Sequence, residues 1–246
     1  MAINKHIPNS VTLLNLLAGS VAVIFAINGW QLFAVALIFA AAVFDFFDGF
    51  LARLLKAYSP LGKELDSLAD LVSFGLAPSL LLYYRYNQVL APYISNSQNA
   101  LLLEAASFTP LVITLASALR LAKFNNDENQ KENFIGLPTP ANALLIASIT
   151  AYTTYSTHLD QIISNPVAIP LFSLIMSYLL ISKLPMFSMK MKSMAFKGNE
   201  SRFIFLLLIA VTGVICIVAT APFTLWVSII FIIYILLNLS LIFCKN

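Results

Sequence analysis

Apolar segments long enough to cross a bilayer recur from one end of this 246-residue chain to the other, parted only by short polar stretches. About 20 apolar residues at 1.5 Å each span some 30 Å of hydrocarbon. With no water there to satisfy backbone groups, such segments must be helices, because an open strand or loop would leave amides unpaired. Hydrophobic residues make up 60% of the chain and charged ones 10%, against about a quarter charged in soluble domains. The expected fold is all-α: one polytopic membrane domain over residues 1–246. Eight helices are expected, at about 10–28, 31–56, 64–86, 99–124, 140–157, 165–182, 201–219 and 223–243.

Turn residues separate these spans: Asn28-Gly29, Ser59-Pro60, Pro92 with Ser95-Asn96-Ser97, and Pro138 with Pro140; Pro166, Pro185 and Pro222 mark later boundaries. Pro78 and Pro110 fall inside spans, as kinks a bundle tolerates. The first apolar stretch has no small-residue cleavage site and reads as a first span, not a removed signal. Basic residues gather in cytoplasmic loops. Lys5, the group Arg53, Lys56 and Lys63, the group Arg120, Lys123 and Lys131, the stretch Lys183 to Arg202, and Lys245 all fall on one side if the number of spans is even; only Arg85 opposes them. Both termini are then expected in the cytoplasm, with His158 and Asp160 on the far side. A net charge of +3 gives no basis for nucleic-acid binding. Cys216 and Cys244 lack metal-ligand spacing and read as small apolar filler. Lys183 to Arg202 reads as a cytoplasmic loop.

Four aspartates interrupt this apolar background within 26 residues: Asp45, Asp48, Asp66 and Asp70. At 100° per residue, Asp45, Asp48, Gly49, Ala52 and Arg53 share a stripe about 140° wide on the second helix. Gly62, Asp66 and Asp70 share a face of the third. A carboxylate facing lipid near the bilayer centre costs about 2.5–3.5 kcal/mol on insertion scales, so these must face an interior and find positive charge. Arg53 supplies one charge. One or two Mg²⁺ or Mn²⁺ ions, with a pair expected, would fill the remaining deficit, since hard cations take oxygen ligands and bridge carboxylates to phosphates. Gly49, Ala52 and Gly62 would leave room for a bulky ligand, or else for close helix packing.

Together these residues form D-x-x-D-G-x-x-A-R, eight residues from Leu54 to Leu61, then G-x-x-x-D-x-x-x-D. The pattern resembles the signature of the CDP-alcohol phosphotransferase family at all eight fixed positions. The resemblance implies a core of about six helices, often dimeric, opening toward the cytoplasm, with the last two helices (201–243) peripheral. It further implies that Asp45, Asp48, Asp66 and Asp70 bind metal, that Asp70 is also the base, and that Gly49, Ala52, Arg53 and Gly62 line a CDP site. Residues 7–15, 66–78, 118–125 and 134–140 resemble the bacterial, serine-using branch; after about residue 143 the likeness is one of hydropathy.

The reaction this implies takes CDP-diacylglycerol and L-serine to phosphatidylserine and CMP, in a bacterial inner membrane, with a homodimer and the surrounding lipids as partners. Arg120, whose guanidinium offers a bidentate fork, and Lys123 are the candidates for serine carboxylate. Asn9, Thr12 and Asn15 are candidates for cytosine or phosphate, with helix capping the simpler role for Asn9; Ser73, near Asp70, could contact substrate. Glycerol 3-phosphate or inositol phosphate are the competing acceptors, although each calls for a denser basic pocket. A cation transporter is the alternative of another class, but no internal repeat supports it.

Overall fold

The computed structural model describes residues 3–95, 98–126, 134–189 and 199–243, and these are helical almost throughout. Helix α1 (Ile3–Ile27) and α2 (Gln31–Leu54) form an antiparallel hairpin, turned at Gly29 with φ of +81°, a conformation in which tyrosine 84 leaves no space for a side chain. A second turn leads to α3 (Pro60–Asp70), a π-helical segment (Leu71–Leu76) and α4 (Ala77–Ile94), which run on as one long rod, Pro60–Ile94. The π segment has a local cause. Pro78 has no N–H to return to the preceding turn, and the Ala77 N–H reaches back to the Val72 carbonyl, a five-residue step. The Gly75 carbonyl accepts instead from Ser79 Oγ at 2.6 Å and Thr114 Oγ1 at 3.3 Å.

The next span, Ala100–Asn126, comprises α5 (Ala100–Ala106), a 3₁₀ turn at Thr109–Leu111 holding Pro110, and α6 (Val112–Asn126). Pro78 and Pro110 thus sit where the helix changes pitch, whereas Pro92, expected at a boundary, lies inside α4. After α7 (Thr139–Tyr152) come α8 (Thr157–Ile163), α9 (Ala168–Ile181), α10 (Glu200–Val218) and α11 (Phe223–Phe243). Two short strands, β1 (Phe134–Ile135) and β2 (Pro185–Met186), pair antiparallel and tie the start of α7 to the end of α9. Gly136, at φ of +74°, follows β1 where an added Cβ would meet the Leu180 carbonyl at 2.6 Å.

Among the described residues, six helices are long and apolar enough to cross a membrane, or seven if the bent pair α8–α9 counts as one span. This falls short of the eight expected from hydropathy. Helix α7, with 14 residues, reaches only about 21 Å. Past its end, the Thr153 and Thr154 hydroxyls return to the Thr150 and Ala151 carbonyls, each at 2.7 Å. Helices α8 and α9 meet at 83°, so α8 cannot extend the α9 span in a straight line. The chain is an integral membrane protein of helical, polytopic architecture.

Small residues make the core. Ala18, Ala22 and Ala26 of α1, Ala34 and Ala41 of α2, Ala77 of α4 and Ala143, Ala147 and Ala151 of α7 are buried together around Ile38, Phe74 and Leu81. In a bilayer, where lipid is as apolar as leucine, close backbone approach of this kind is what helix association relies on. Gly19 carries it furthest: a Cβ there would lie 2.7 Å from the Ser73 Cα. A second core joins Leu137, Leu145, Met176, Met186, Phe205 and Tyr234 across α7, α9, α10 and α11. Helix α11 is fastened by the Ser228–Ser148 hydroxyl pair at 3.0 Å and by Asn238 Oδ1, which accepts from the Phe187 amide at 2.8 Å. Cys216 is buried and free; Cys244, Lys131, Lys245, Asn96, Ser97 and the lysines at 190, 192 and 197 lie outside the described residues, as does the side chain of Lys5.

Arg85 pairs with Asp160 and lies 3.3 Å from the Ser164 hydroxyl, joining α4 to α8. Arg85 is 15 residues beyond Asp70 on one rod, about 22 Å along its axis. The two groups of charge therefore occupy opposite ends of the same span.

Candidate active site

The turn between α2 and α3 sets the site. Lys56 adopts a left-handed backbone at φ of +51°, and Ser59, with φ of −145° and ψ of 149°, caps α3 by accepting the Gly62 amide at 3.0 Å. Pro60 occupies the first helical position, where its missing N–H costs nothing. The start of α3 is thereby fixed against the end of α2, and the carboxylates on the two helices meet. Asp45, Asp48 and Asp66 each bring an oxygen within 4.8 Å of the others. Phe46, Phe47 and Phe50, between and after the aspartates of α2, are exposed on the outer face, so the helix divides its carboxylates inward and its rings outward.

Asp48 Oδ2 and Asp66 Oδ1 are buried without a hydrogen-bond partner among the described residues. Three converging carboxylates, two of them with an oxygen left unpartnered, are donors suited to a hard divalent cation; Asp45, Asp48 and Asp66 would hold one. Asp70, one turn beyond Asp66 and buried, is placed differently: its Oδ1 accepts from Asn15 Nδ2 at 3.4 Å. Asn15 is fixed in turn by Ser73, whose hydroxyl donates to the Asn15 carbonyl at 3.0 Å. The polar residues of α1 and the π segment thus form a chain that holds Asp70 from behind.

Beside the carboxylates lies a cleft of about 190 Å³ lined by residues of α1, α2, the turn and α3. Asn9, Thr12, Gly49, Ala52 and Gly62 line it together with Asp48 and Asp66. Gly49 is open, with nothing within 4 Å of where its Cβ would stand; Gly62 is tight, with Asn9 Oδ1 at 3.0 Å and Ser59 Oγ at 3.1 Å. Thr12 returns its hydroxyl to the Pro8 carbonyl at 3.1 Å. Arg53 is exposed, donates Nε to the Gly49 carbonyl at 3.0 Å and is not among the lining residues. Asn15 and Ser73 stand behind the cleft wall.

Arg120 is buried in the bundle and donates to Thr139 Oγ1 at 2.7 Å. Lys123 is exposed one turn further on. Both border a second cavity of about 620 Å³ between α6 and the end of α9, which Lys183 also lines. Sequence reasoning passed over several residues here. Lys63 lines the first cleft, and its place next to Gly62 was the available signal. Asn142, fully buried, and Ser117, neither with a side-chain partner among the described residues, respectively follow Thr139 and precede Arg120 by one turn. Their signal was a helical spacing from those two residues.

The family model described as CDP-alcohol phosphatidyltransferase matches residues 5–181. Among curated proteins, a Bacillus subtilis CDP-diacylglycerol–serine O-phosphatidyltransferase is 34% identical over 180 residues, 73% of this chain and 89% of that protein. One of the same name from Methanocaldococcus jannaschii is 31% identical over 230 residues, 93% of this chain and 91% of the other. A third, from Mycobacterium leprae, is 37% identical over 158 residues, 61% of this chain; the match spans about half of that longer relative, 48%. The family generally uses divalent metals, in keeping with three carboxylates that converge beside a small-residue cleft. The chain belongs to the CDP-alcohol phosphatidyltransferase family.

Proposed function

We propose that this chain transfers the phosphatidyl group of CDP-diacylglycerol to the hydroxyl of L-serine, forming phosphatidylserine and releasing CMP. One observation carries the reading: three carboxylates converge beside a cleft walled by Gly49, Ala52 and Gly62, two of them, Asp48 and Asp66, with a buried oxygen left without a partner among the described residues, and a fourth, Asp70, is held one turn deeper by Asn15. The names of the relatives supply the donor and acceptor.

Asp45, Asp48 and Asp66 would hold the divalent cation, Mg²⁺ or Mn²⁺ and in our reading two ions, with Asp70 adjoining. Such ions stabilise negative charge on the diphosphate as the phosphoryl group moves. The residues of the chain do the rest. Small side chains at Gly49 and Ala52 let the nucleotide approach the α2 backbone, and Asn9 and Thr12 offer polar atoms to its base or phosphates. Asp70 accepts the serine hydroxyl proton as the new oxygen–phosphorus bond forms and the bond to CMP breaks. Asn15, braced by Ser73, keeps the Asp70 carboxylate in one orientation. Arg120 pairs with the serine carboxylate, and Thr139 holds the guanidinium in place; Lys123 adds positive charge at the entrance.

The same reading places the cleft and both termini on the cytoplasmic side, treats residues 1–246 as one membrane domain with α10 and α11 outside the catalytic core, and takes the active form as a homodimer. The basic residues around the α2–α3 turn and the end of α6 support that orientation. The test is CMP release by purified protein given CDP-diacylglycerol, Mn²⁺ or Mg²⁺, and one alcohol at a time. Release with serine alone is expected. Release only with glycerol 3-phosphate or inositol phosphate would overturn the acceptor, and no release with any alcohol would overturn the activity.

A further inference from the structure

Among the described residues, Lys63 is the only lysine or arginine that lines the carboxylate cleft. It precedes Asp66 by three positions, so the two project from adjacent rows of α3. Its side chain is held at the cleft edge by two helices. The ammonium donates to the Asn125 carbonyl of α6 at 2.7 Å. Asn125 in turn donates its amide to Ser67 Oγ at 2.8 Å, and Ser67 Oγ lies 3.3 Å from the Lys63 carbonyl. Lys63, Asn125 and Ser67 thus make a closed clasp between α3 and α6. An ammonium carries three donors. One is spent on Asn125, and two remain for an anion in the cleft.

We propose that Lys63 is a phosphate-binding residue of the donor site, steadied by the Asn125–Ser67 clasp so that its charge stands at the rim of the cleft that Asp48 and Asp66 also line. This rests on the donor reading above and extends it. Aspartates facing a diphosphate need intervening positive charge, and a lysine fixed at the rim supplies it directly. Arg53, the cation that the sequence pattern singles out, directs its Nε to its own helix and stands outside the lining.

The test is binding of CDP, in the presence of Mn²⁺, to the detergent-solubilised full chain by equilibrium dialysis. Lys63→Gln is expected to weaken CDP binding about tenfold, the scale of one hydrogen bond to a charged group. Lys63→Arg, which keeps the charge, is expected to stay within about threefold. The gap between wild type and Lys63→Gln should narrow in high salt, because the lysine is exposed, and the KM for serine at saturating donor should be unchanged. If Lys63→Gln fails to elute as a folded species, Lys63→Met, which keeps the apolar stem, takes its place. Wild-type affinity in the uncharged variant, or an equal loss in Lys63→Arg, would overturn the assignment while leaving the donor site standing. Failure of the wild-type chain to bind CDP at all would overturn the donor reading itself.

Discussion

Replacing Gly19 with alanine tests whether the site depends on the backbone contact between α1 and the π segment. The new Cβ would stand 2.7 Å from the Ser73 Cα, where ordinary contact begins at 3.4 Å. That neighbour is backbone and cannot rotate aside, so α1 must withdraw by about 0.7 Å, the difference between the two distances. Asn15, one turn earlier on α1, would move with it. Its 3.4 Å bond to Asp70 would pass beyond hydrogen-bonding range, and the 3.0 Å Ser73–Asn15 bond would stretch toward the same limit. Overpacking of this kind costs about 1–3 kcal/mol, with about 1 kcal/mol more for a lost buried hydrogen bond. Misplacing a reactive group by a sizeable fraction of an ångström lowers turnover by about 10- to 100-fold. Thermal unfolding in detergent and CMP release together measure both effects. The expected result is a melting point lower by several degrees and a kcat down at least tenfold, with little change in the KM for donor. Gly49→Ala is the counterpart: with nothing within 4 Å of its Cβ, it should melt as wild type and raise the donor KM. A Gly19→Ala protein with unaltered melting and unaltered kcat would refute the claim that this helix approach positions Asp70.

Asp66→Asn removes one of three carboxylates that share a 4.8 Å cluster; Mn²⁺ binding, read by electron paramagnetic resonance, should weaken at least tenfold and turnover should fall below detection. Thr139→Val deletes the hydroxyl that accepts from Arg120 at 2.7 Å and leaves a buried guanidinium donor unmet, so the KM for serine should rise about tenfold with the donor KM unchanged. Substituting Asp160 by Asn breaks the pair with Arg85, far from the carboxylates; a partly exposed pair of this sort contributes up to about 1 kcal/mol, so a slightly lower melting point with full activity is the expected outcome.

The chemistry was legible in the sequence because both constraints on it are local. A carboxylate in an apolar helix must face inward whatever the rest of the chain does, and the helical repeat then dictates which residues share its face. That is why Asp45, Asp48, Gly49, Ala52, Gly62 and Asp66 meet where their spacing says they should, and why Ser59-Pro60 marks the start of α3. Hydropathy likewise defines the long spans, but it does not register where a helix ends or bends within an apolar stretch. The end of α7 at Tyr152 and the 83° bend between α8 and α9 therefore escaped it. What the tertiary structure alone decided is contact between residues distant along the chain: Asn15 with Asp70, Arg120 with Thr139, and Lys63 with Asn125. Each depends on how closely two helices approach and at what rotation. That is set by small residues such as Gly19 and the buried alanines of α1, α2 and α7, and by the extra residue per turn that Pro78 brings to the π segment. A periodic pattern states which face of a helix turns inward, and only packing determines what that face meets.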